Sequence, residues 1–207
     1  MEEFDTYIFD FDGTLVDSEY SLFHVFQVGF AEIGRTCTRE QSAHYMHQSL
    51  LQTIEEAKIP EADQQRFLNA IITSINAPET NRLIVPFEET KEVMEALLKR
   101  GKKVAIASNN VVPHIRDVLD VHGLISLFQA FAGSDRVKHT KPAPDLVELI
   151  CEDLHVPCDQ RVVYVGDSLQ DVETGLAAHA SAILVDRENT MPEFVGTKIS
   201  SLRDLLI

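Results

Sequence analysis

Short runs of consecutive apolar residues recur at Tyr7-Ile8-Phe9, Val104-Ala105-Ile106-Ala107, Val162-Val163-Tyr164-Val165 and Ala182-Ile183-Leu184-Val185, with a less regular one from Phe128 to Ala132. Each is too short for a helix and most are rich in β-branched or aromatic residues, which predicts strands buried on both faces. Between them, Glu88 to Arg100, Pro113 to Val121, Asp145 to Leu154 and Gln170 to His179 place apolar residues at i, i+3 and i+4, the spacing of amphipathic helices. Strand and helix therefore alternate from residue 86 onward. That alternation predicts the α/β class, a doubly wound parallel sheet covered by helices on both faces.

Residues 16–85 interrupt the pattern, reading as helices throughout. Glu19 to Glu32 is one, with Gly34 placed to end it. A second starts at Arg39, where Thr38 and Gln41 occupy capping-box positions, and a third follows Pro60 and reaches Asn76. The expected organisation is a core of residues 1–15 and 86–207 with a helical cap subdomain inserted over 16–85. The two connecting segments are then placed to act as hinges. No internal repeat or low-complexity segment is present.

Composition narrows the function classes. With 207 residues, 44% of them hydrophobic, the chain is long enough for one sizeable core and an insertion. Its 18 basic against 33 acidic residues give a net charge of −15, which argues against nucleic acid and anionic membrane as partners. Cys37, Cys151 and Cys158 show neither CxxC nor Cys/His ligand spacing, so they are expected to be ordinary thiols in a reducing compartment, with no structural zinc. The acidic start, Glu2-Glu3-Phe4-Asp5, is unlike a signal peptide, and no apolar run approaches the ~20 residues of a membrane span. A cytoplasmic location is expected.

Candidate chemistry gathers at the ends of the predicted strands. Asp10-Phe11-Asp12-Gly13-Thr14 closes the first, and the period of two puts Asp10 and Asp12 on one side of the chain. Left alone the two carboxylates repel, so the pair suits a hard divalent cation such as Mg2+, a shared proton, or both; an acidic surface turn is the plainer alternative, since Asp-Gly is a common turn dipeptide. Ser108-Asn109-Asn110 follows the second long strand and offers a hydroxyl, amides and free N–H groups to phosphate oxygens, although it also reads as a simple turn. Lys141 lies in Thr140-Lys141-Pro142-Ala143-Pro144, where prolines hold the backbone extended and a fixed lysine suits a fixed anion. Gly166-Asp167-Ser168-Leu169-Gln170-Asp171 adds two carboxylates after the next strand. All four features sit at strand carboxyl ends, where open α/β sheets bind their ligands.

This ordered set, Asp-x-Asp-Gly-Thr, Ser-Asn, Lys-Pro and Gly-Asp-Ser-x-x-Asp, resembles the haloacid dehalogenase-like hydrolase superfamily over nearly the whole chain. The helical insertion after the first motif is similar to that of the phosphoglycolate phosphatase and β-phosphoglucomutase subgroup. The resemblance implies a Mg2+-dependent phosphatase acting on a small phosphorylated metabolite, such as phosphoglycolate, a sugar phosphate or a nucleotide, through an aspartyl-phosphate. It assigns Asp10 as nucleophile and Asp12 as acid/base, with Asp10, Asp12 (through its carbonyl) and Asp167 as metal ligands. Lys141 offsets the charge of nucleophile and phosphate, Ser108 and Asn109 hold the phosphoryl group, Thr14 braces the loop after the nucleophile, and Asp171 supports the metal's water shell or Lys141.

Two positions depart from the family pattern, Phe87 and His179, where relatives often carry glycine. In the insertion, Met46 to Ser49 resembles the family's specificity loop. His24, His44, His47, Gln48 and Ser49 are then candidate substrate contacts, each of which also reads as a packing or surface residue. A phosphomutase and a non-catalytic binding module are the alternatives; Thr14, where sugar phosphomutases carry Val, favours hydrolysis. No feature specifies an oligomeric state.

Overall fold

The computed structural model describes residues 4–45 and 50–207. The chain forms two compact units, Met1–Asp17 with Pro86–Ile207, and Ser18–Val85. Along the first run β1 (Thr6–Phe9) and β2 (Val16–Asp17); helices α1 (Glu19–Glu32), α2 (Arg39–Tyr45), α3 (Leu50–Glu56), α4 (Glu61–Ile75) and α5 (Pro78–Asn81) build the second. The chain returns through β3 (Val85–Pro86) and continues with α6 (Thr90–Lys99), β4 (Lys103–Ala107), α7 (Val112–Val121), β5 (Ala130–Ala132), α8 (Asp145–Asp153), β6 (Val162–Gly166), α9 (Leu169–Ala177), β7 (Ser181–Val185) and β8 (Lys198–Ile199).

The six-stranded sheet has the order β5-β4-β1-β6-β7-β8, with parallel pairing throughout. β1 and β6 are buried along their whole length, which is why their sequences run apolar without alternation. The helices cover the sheet with the stripes that the sequence predicts: Val93, Met94 and Leu97 on α6, Ile115, Val118 and Leu119 on α7, and Leu146, Val147, Ile150 and Cys151 on α8. From β1 the chain moves to β4 and β5 on one side, then crosses to β6 on the other. Phe9 is level with Ile106 of β4 and Val165 of β6, so the residues that follow these three strands meet at one carboxyl edge.

In the helical unit, Phe30 of α1 meets Phe67 of α4 edge to face at 5.1 Å and stacks with Tyr45 of α2 at 5.9 Å. The capping box expected at Thr38 is formed in both directions: Gln41 N–H donates to Thr38 Oγ1 at 3.2 Å, and Thr38 N–H donates to Gln41 Oε1 at 2.9 Å. The stretch 16–85 is not wholly helical as expected, because two-residue strands stand at its ends. The pattern also gave no sign of the short helices α3 and α5, and the fifth strand is shorter than the run from Phe128. Among the described residues no helix is long and apolar enough to cross a membrane.

β8 was also not foreseen. Its position depends on Asp186, the residue after β7, which accepts from Thr190 N–H at 2.7 Å, Met191 N–H at 3.0 Å and the Lys198 ammonium at 3.1 Å. Burial raises the Asp186 carboxyl, but these bonds outweigh it and hold the pKa at about 2, below the ordinary 3.8. A carboxyl depressed in the folded state stabilises it fully above the unfolded value and loses that contribution as pH falls through the folded value. Asp186→Asn is therefore expected to lower the urea midpoint at neutral pH, with the deficit closing as pH falls from about 4 towards 2. A deficit independent of pH would remove this role from the carboxylate.

Candidate active site

The buried ion cluster forms where β1 and β6 end. Lys141 Nζ lies 2.8 Å from Asp10 Oδ1 and 2.6 Å from Asp171 Oδ1, and all three side chains are buried. Asp171 is fixed at both oxygens, since its Oδ2 accepts from Ser168 N–H at 3.0 Å and from Ser168 Oγ–H at 2.6 Å. Those bonds close the capping box that starts α9. The carboxylate that begins the helix is thus also the partner of Lys141. Gly166 makes this possible, because a Cβ there would overlap the Asp171 side chain.

On the other side of the cluster, Asp167 Oδ1 accepts from Thr14 Oγ1 at 3.1 Å. Gly13 turns the chain directly after the two acids of the first motif with φ +75°, and a Cβ there would collide with the Asp167 carboxylate. Ser108 is buried beyond β4, and its Oγ accepts from Asn110 N–H at 3.2 Å. Asn109 serves Lys141 through its side chain, whose Oδ1 accepts from the Lys141 N–H at 2.9 Å. The structure therefore brings Asp10, Thr14, Ser108, Asn109, Lys141, Asp167 and Asp171 to one edge. The Asp12 carboxylate stands apart from the cluster, with Asn110 Nδ2 3.4 Å from its Oδ2.

Burial raises Asp10, Lys141 opposes the rise, and Asp171 and Asp12 add to it; the carboxyl is pushed up to about 8. Lys141 is pulled down by burial but held well above its ordinary value by Asp10 and Asp171, so it stays an ammonium. Asp167 is raised by burial and by Asp171, against the Thr14 hydroxyl. Beneath the cluster, the fully buried Tyr164 hydroxyl donates to Ala107 O at 2.6 Å, and burial followed by Asp10 and Asp171 keeps it neutral.

A hard divalent cation fits this arrangement. Ligand oxygens of Asp10, Asp167 and Asp171 lie within 4.8 Å of one another. With Asp10 ionised, three carboxylates against one ammonium would leave two negative charges in a buried place, and burial resists that by raising Asp10 and Asp167. Asp10 Oδ1 makes no well-formed hydrogen bond despite the ammonium beside it. Oxygen donors alone suit Mg2+ better than a thiophilic metal. Because Asp171 is committed to Lys141 and Ser168, Asp10 and Asp167 have the oxygens left to give.

Several residues at this edge escaped the motif reading. Arg187, after β7, donates to Gly13 O at 3.4 Å, Thr14 O at 3.1 Å and Glu89 Oε1 at 2.9 Å, and its guanidinium stacks on Phe87 at 3.9 Å. It clamps the turn after Asp12, and it explains Phe87, whose ring gives the guanidinium a face that glycine lacks. Asn110, the third residue of the Ser108-Asn109-Asn110 turn, has its side-chain amide at Asp12. His114 on α7 is close enough to Asp12 to feel its charge, although burial keeps the imidazole neutral. His179 takes the left-handed conformation, φ +61°, at the end of α9 and makes no contact with the cluster. Of the insertion's candidates, His44 pairs with Glu56 at 2.7 Å and His24 lines a cavity with Glu32, Arg66 and Thr80 inside the helical unit. Met46, His47, Gln48 and Ser49 lie outside the described residues.

Comparison with known proteins gives a consistent set of likenesses. The family described as haloacid dehalogenase-like hydrolase matches residues 7–185. A pyrophosphatase PpaX of Listeria monocytogenes serotype 4b is 31% identical, spanning 95% of this chain and 94% of its own. A phosphoglycolate phosphatase of Pseudomonas syringae pv. tomato is 26% identical over 85% of this chain and 67% of its own. A crystal structure from Bacteroides fragilis, described as a haloacid dehalogenase-like hydrolase, superposes with a TM-score of 0.82 at 26% identity, covering 98% of this chain and all of that one.

Removing the central ammonium leaves Asp171 buried without a counter-charge, while Asp10, already raised to about 8 beside Lys141, is left protonated. In metal-free buffer at neutral pH, Lys141→Met is expected to lose roughly 3 kcal/mol of unfolding free energy. Adding Asp171→Asn should recover part of the loss in the same urea titration, and a single variant as stable as the wild type would contradict this account.

Proposed function

The chain belongs to the haloacid dehalogenase-like hydrolases, and from that premise we propose that it is a Mg2+-dependent phosphatase acting on a small phosphorylated metabolite through an aspartyl-phosphate. The observation that carries the reading is the Lys141 ammonium held between Asp10 and Asp171 at the carboxyl edge of β1 and β6. A carboxylate nucleophile meeting a phosphate dianion needs fixed positive charge at short range, and this edge concentrates the means of supplying it. The Listeria and Pseudomonas relatives support phosphoester or phosphoanhydride chemistry and leave pyrophosphate, phosphoglycolate and other small phosphate compounds as substrates to be ranked.

The Asp10 and Asp167 carboxylates and the Asp12 carbonyl would hold Mg2+. When bound, the metal supplies neutralising charge to the carboxylates and the phosphoryl oxygens. Asp10 attacks phosphorus, forming the aspartyl-phosphate as the bond to the leaving oxygen breaks. Asp12 gives that oxygen a proton and then takes one from the water that attacks the intermediate, so one carboxyl serves as acid and then base. Its hydrogen-bonding neighbour is Asn110 rather than Lys141, which suits this alternation. Ser108 and the Asn109 N–H hold the transferring group, while Lys141 offsets its charge. Asp171 keeps Lys141 in place, and Thr14 keeps Asp167 in place.

Phosphate release from a panel of small phosphate compounds tests this reading. Release should require Mg2+, stop on chelation, and fall by roughly 10³-fold or more in Asp10→Asn, the scale on which nucleophiles matter. A folded protein that binds Mg2+ yet releases phosphate from nothing would count against hydrolysis and favour the phosphomutase alternative.

Arg187 supplies a separate expectation. Arg187→Met frees the carbonyls of Gly13 and Thr14, loosening both Asp12 and the Thr14 support of Asp167. Loss of about ten-fold or more in kcat is expected with the fold retained by circular dichroism. Unchanged kcat would mean that the clamp does not position the reacting groups.

A further inference from the structure

At the opposite edge of the sheet, where the strands begin, two cysteines come together. Cys151 is on the last turns of α8 and Cys158 is in the segment leading to β6. Cys158 packs against the buried apolar cluster that contains Cys151. Cys158 Sγ also donates to Ala178 O, at the end of α9, at 3.1 Å. Both line a groove of about 570 Å3 that also takes in Arg136, Asp145, Glu148 and Glu152. Cys151 is buried at the floor of this groove, whereas Cys158 is partly exposed. The third cysteine, Cys37, is buried in the core of the helical unit.

We propose that Cys151 and Cys158 form a modification site, a dithiol that low-molecular-weight disulfides of neutral or cationic character convert into an intramolecular disulfide. Access and reactivity assign the order of events. Cys158 is the more accessible sulfur, and Cys151 beside it holds its thiol below the ordinary value. The Cys158 thiolate attacks one sulfur of the small disulfide, forming a mixed disulfide and expelling one small thiolate, which takes up a proton. Cys151 then loses its proton and attacks Cys158 Sγ, forming the protein disulfide and expelling the second small thiol. Two protein thiols are oxidised and one small disulfide is reduced to two thiols, so no other oxidant is required.

The groove's charge selects the reagent. Asp145, Glu148 and Glu152 stand against Arg136, which is itself paired with Asp153 at 2.7 Å, while Asp159 near both thiols is paired with Arg161 at 3.2 Å. An anionic disulfide such as oxidised glutathione is repelled there, and a cationic one such as cystamine is attracted. The site lies at the amino-terminal edge of β6, while the ion cluster occupies the carboxyl-terminal edge. Bridging the cysteines therefore ties α8 to the entry of β6 without touching Asp10, Lys141 or Asp167.

The native full chain is treated with cystamine, hydroxyethyl disulfide or oxidised glutathione at low and high ionic strength, and followed by intact mass and thiol titration. Expected is loss of two hydrogens and of two titratable thiols. Acid-specific proteolysis between the cysteines, at Glu152 or Asp153, should yield peptides that separate only after reduction. Cystamine should react about ten-fold faster than oxidised glutathione at low ionic strength, and the gap should shrink with salt. Cys158→Ser and Cys158→Ala should each abolish the internal bond, Cys37→Ser should not, and Mg2+-dependent turnover should be the same before and after oxidation. A mixed disulfide that persists on Cys158, faster reaction at Cys37, or oxidation only in denaturant would overturn the proposal. Apart from turnover, none of these readouts depends on the protein being a phosphatase.

Discussion

The structure is organised around a single buried ammonium. Lys141 sits between Asp10 and Asp171, and each of the three comes from a different part of the chain: the end of β1, the loop before α8 and the first turn of α9. In a buried place an unpaired charge costs several kcal/mol, so the contacts that bring these segments together are mutually dependent. The Asn109 side chain holds the Lys141 backbone, and the Ser168 capping box holds Asp171. Most of the geometry at this edge can be read as the set of restraints needed to keep one ammonium against two carboxylates.

Asp171 shows how local and tertiary demands are met by one group. The helix-starting sequence Ser-x-x-Asp would form a capping box on any exposed helix, where only one carboxylate oxygen is occupied. Here the second oxygen takes Lys141, so rotation of the carboxylate is blocked at both ends. Groups locked in this way lose little further freedom when a ligand arrives, which is the physical content of preorganisation. The cost appears at Gly166, where no side chain larger than hydrogen can be accommodated against Asp171.

The parallel core and the residues at its carboxyl edge were legible because the signals are local and strong. Uninterrupted apolar runs mark strands buried on both faces, and Asp10, Ser108 and Asp167 follow such runs directly, while Lys141 is marked by the prolines beside it. What escaped depends on contacts between distant segments. Arg187 follows β7 without any motif, and its partners Gly13 and Thr14 are more than 170 residues away in sequence. β8 is two residues long and is held by Asp186 rather than by its own propensity. The contact between Cys151 and Cys158 was equally invisible, because the spacing of the two cysteines matches no ligand motif and only the turn after α8 folds one onto the other.

Burial links the fold to the chemistry more closely than net charge does. A chain with net charge −15 is a poor general binder of anions, yet exposed charges farther than a Debye length of ~8 Å contribute little to a site. What acts on Asp10 is the apolar sheet around it, which raises its carboxyl to about 8 despite the ammonium 2.8 Å away. The same continuous apolar strands that make the core therefore make the cluster short of positive charge. Additional cationic charge at the free oxygens of Asp10 and Asp167 would relieve that shortage and leave Asp10 ionised, as the proposed nucleophilic role requires. The shortage cannot be removed by exposing the site without also weakening Lys141's attraction to the carboxylates beside it, since both effects come from the same low-dielectric surroundings.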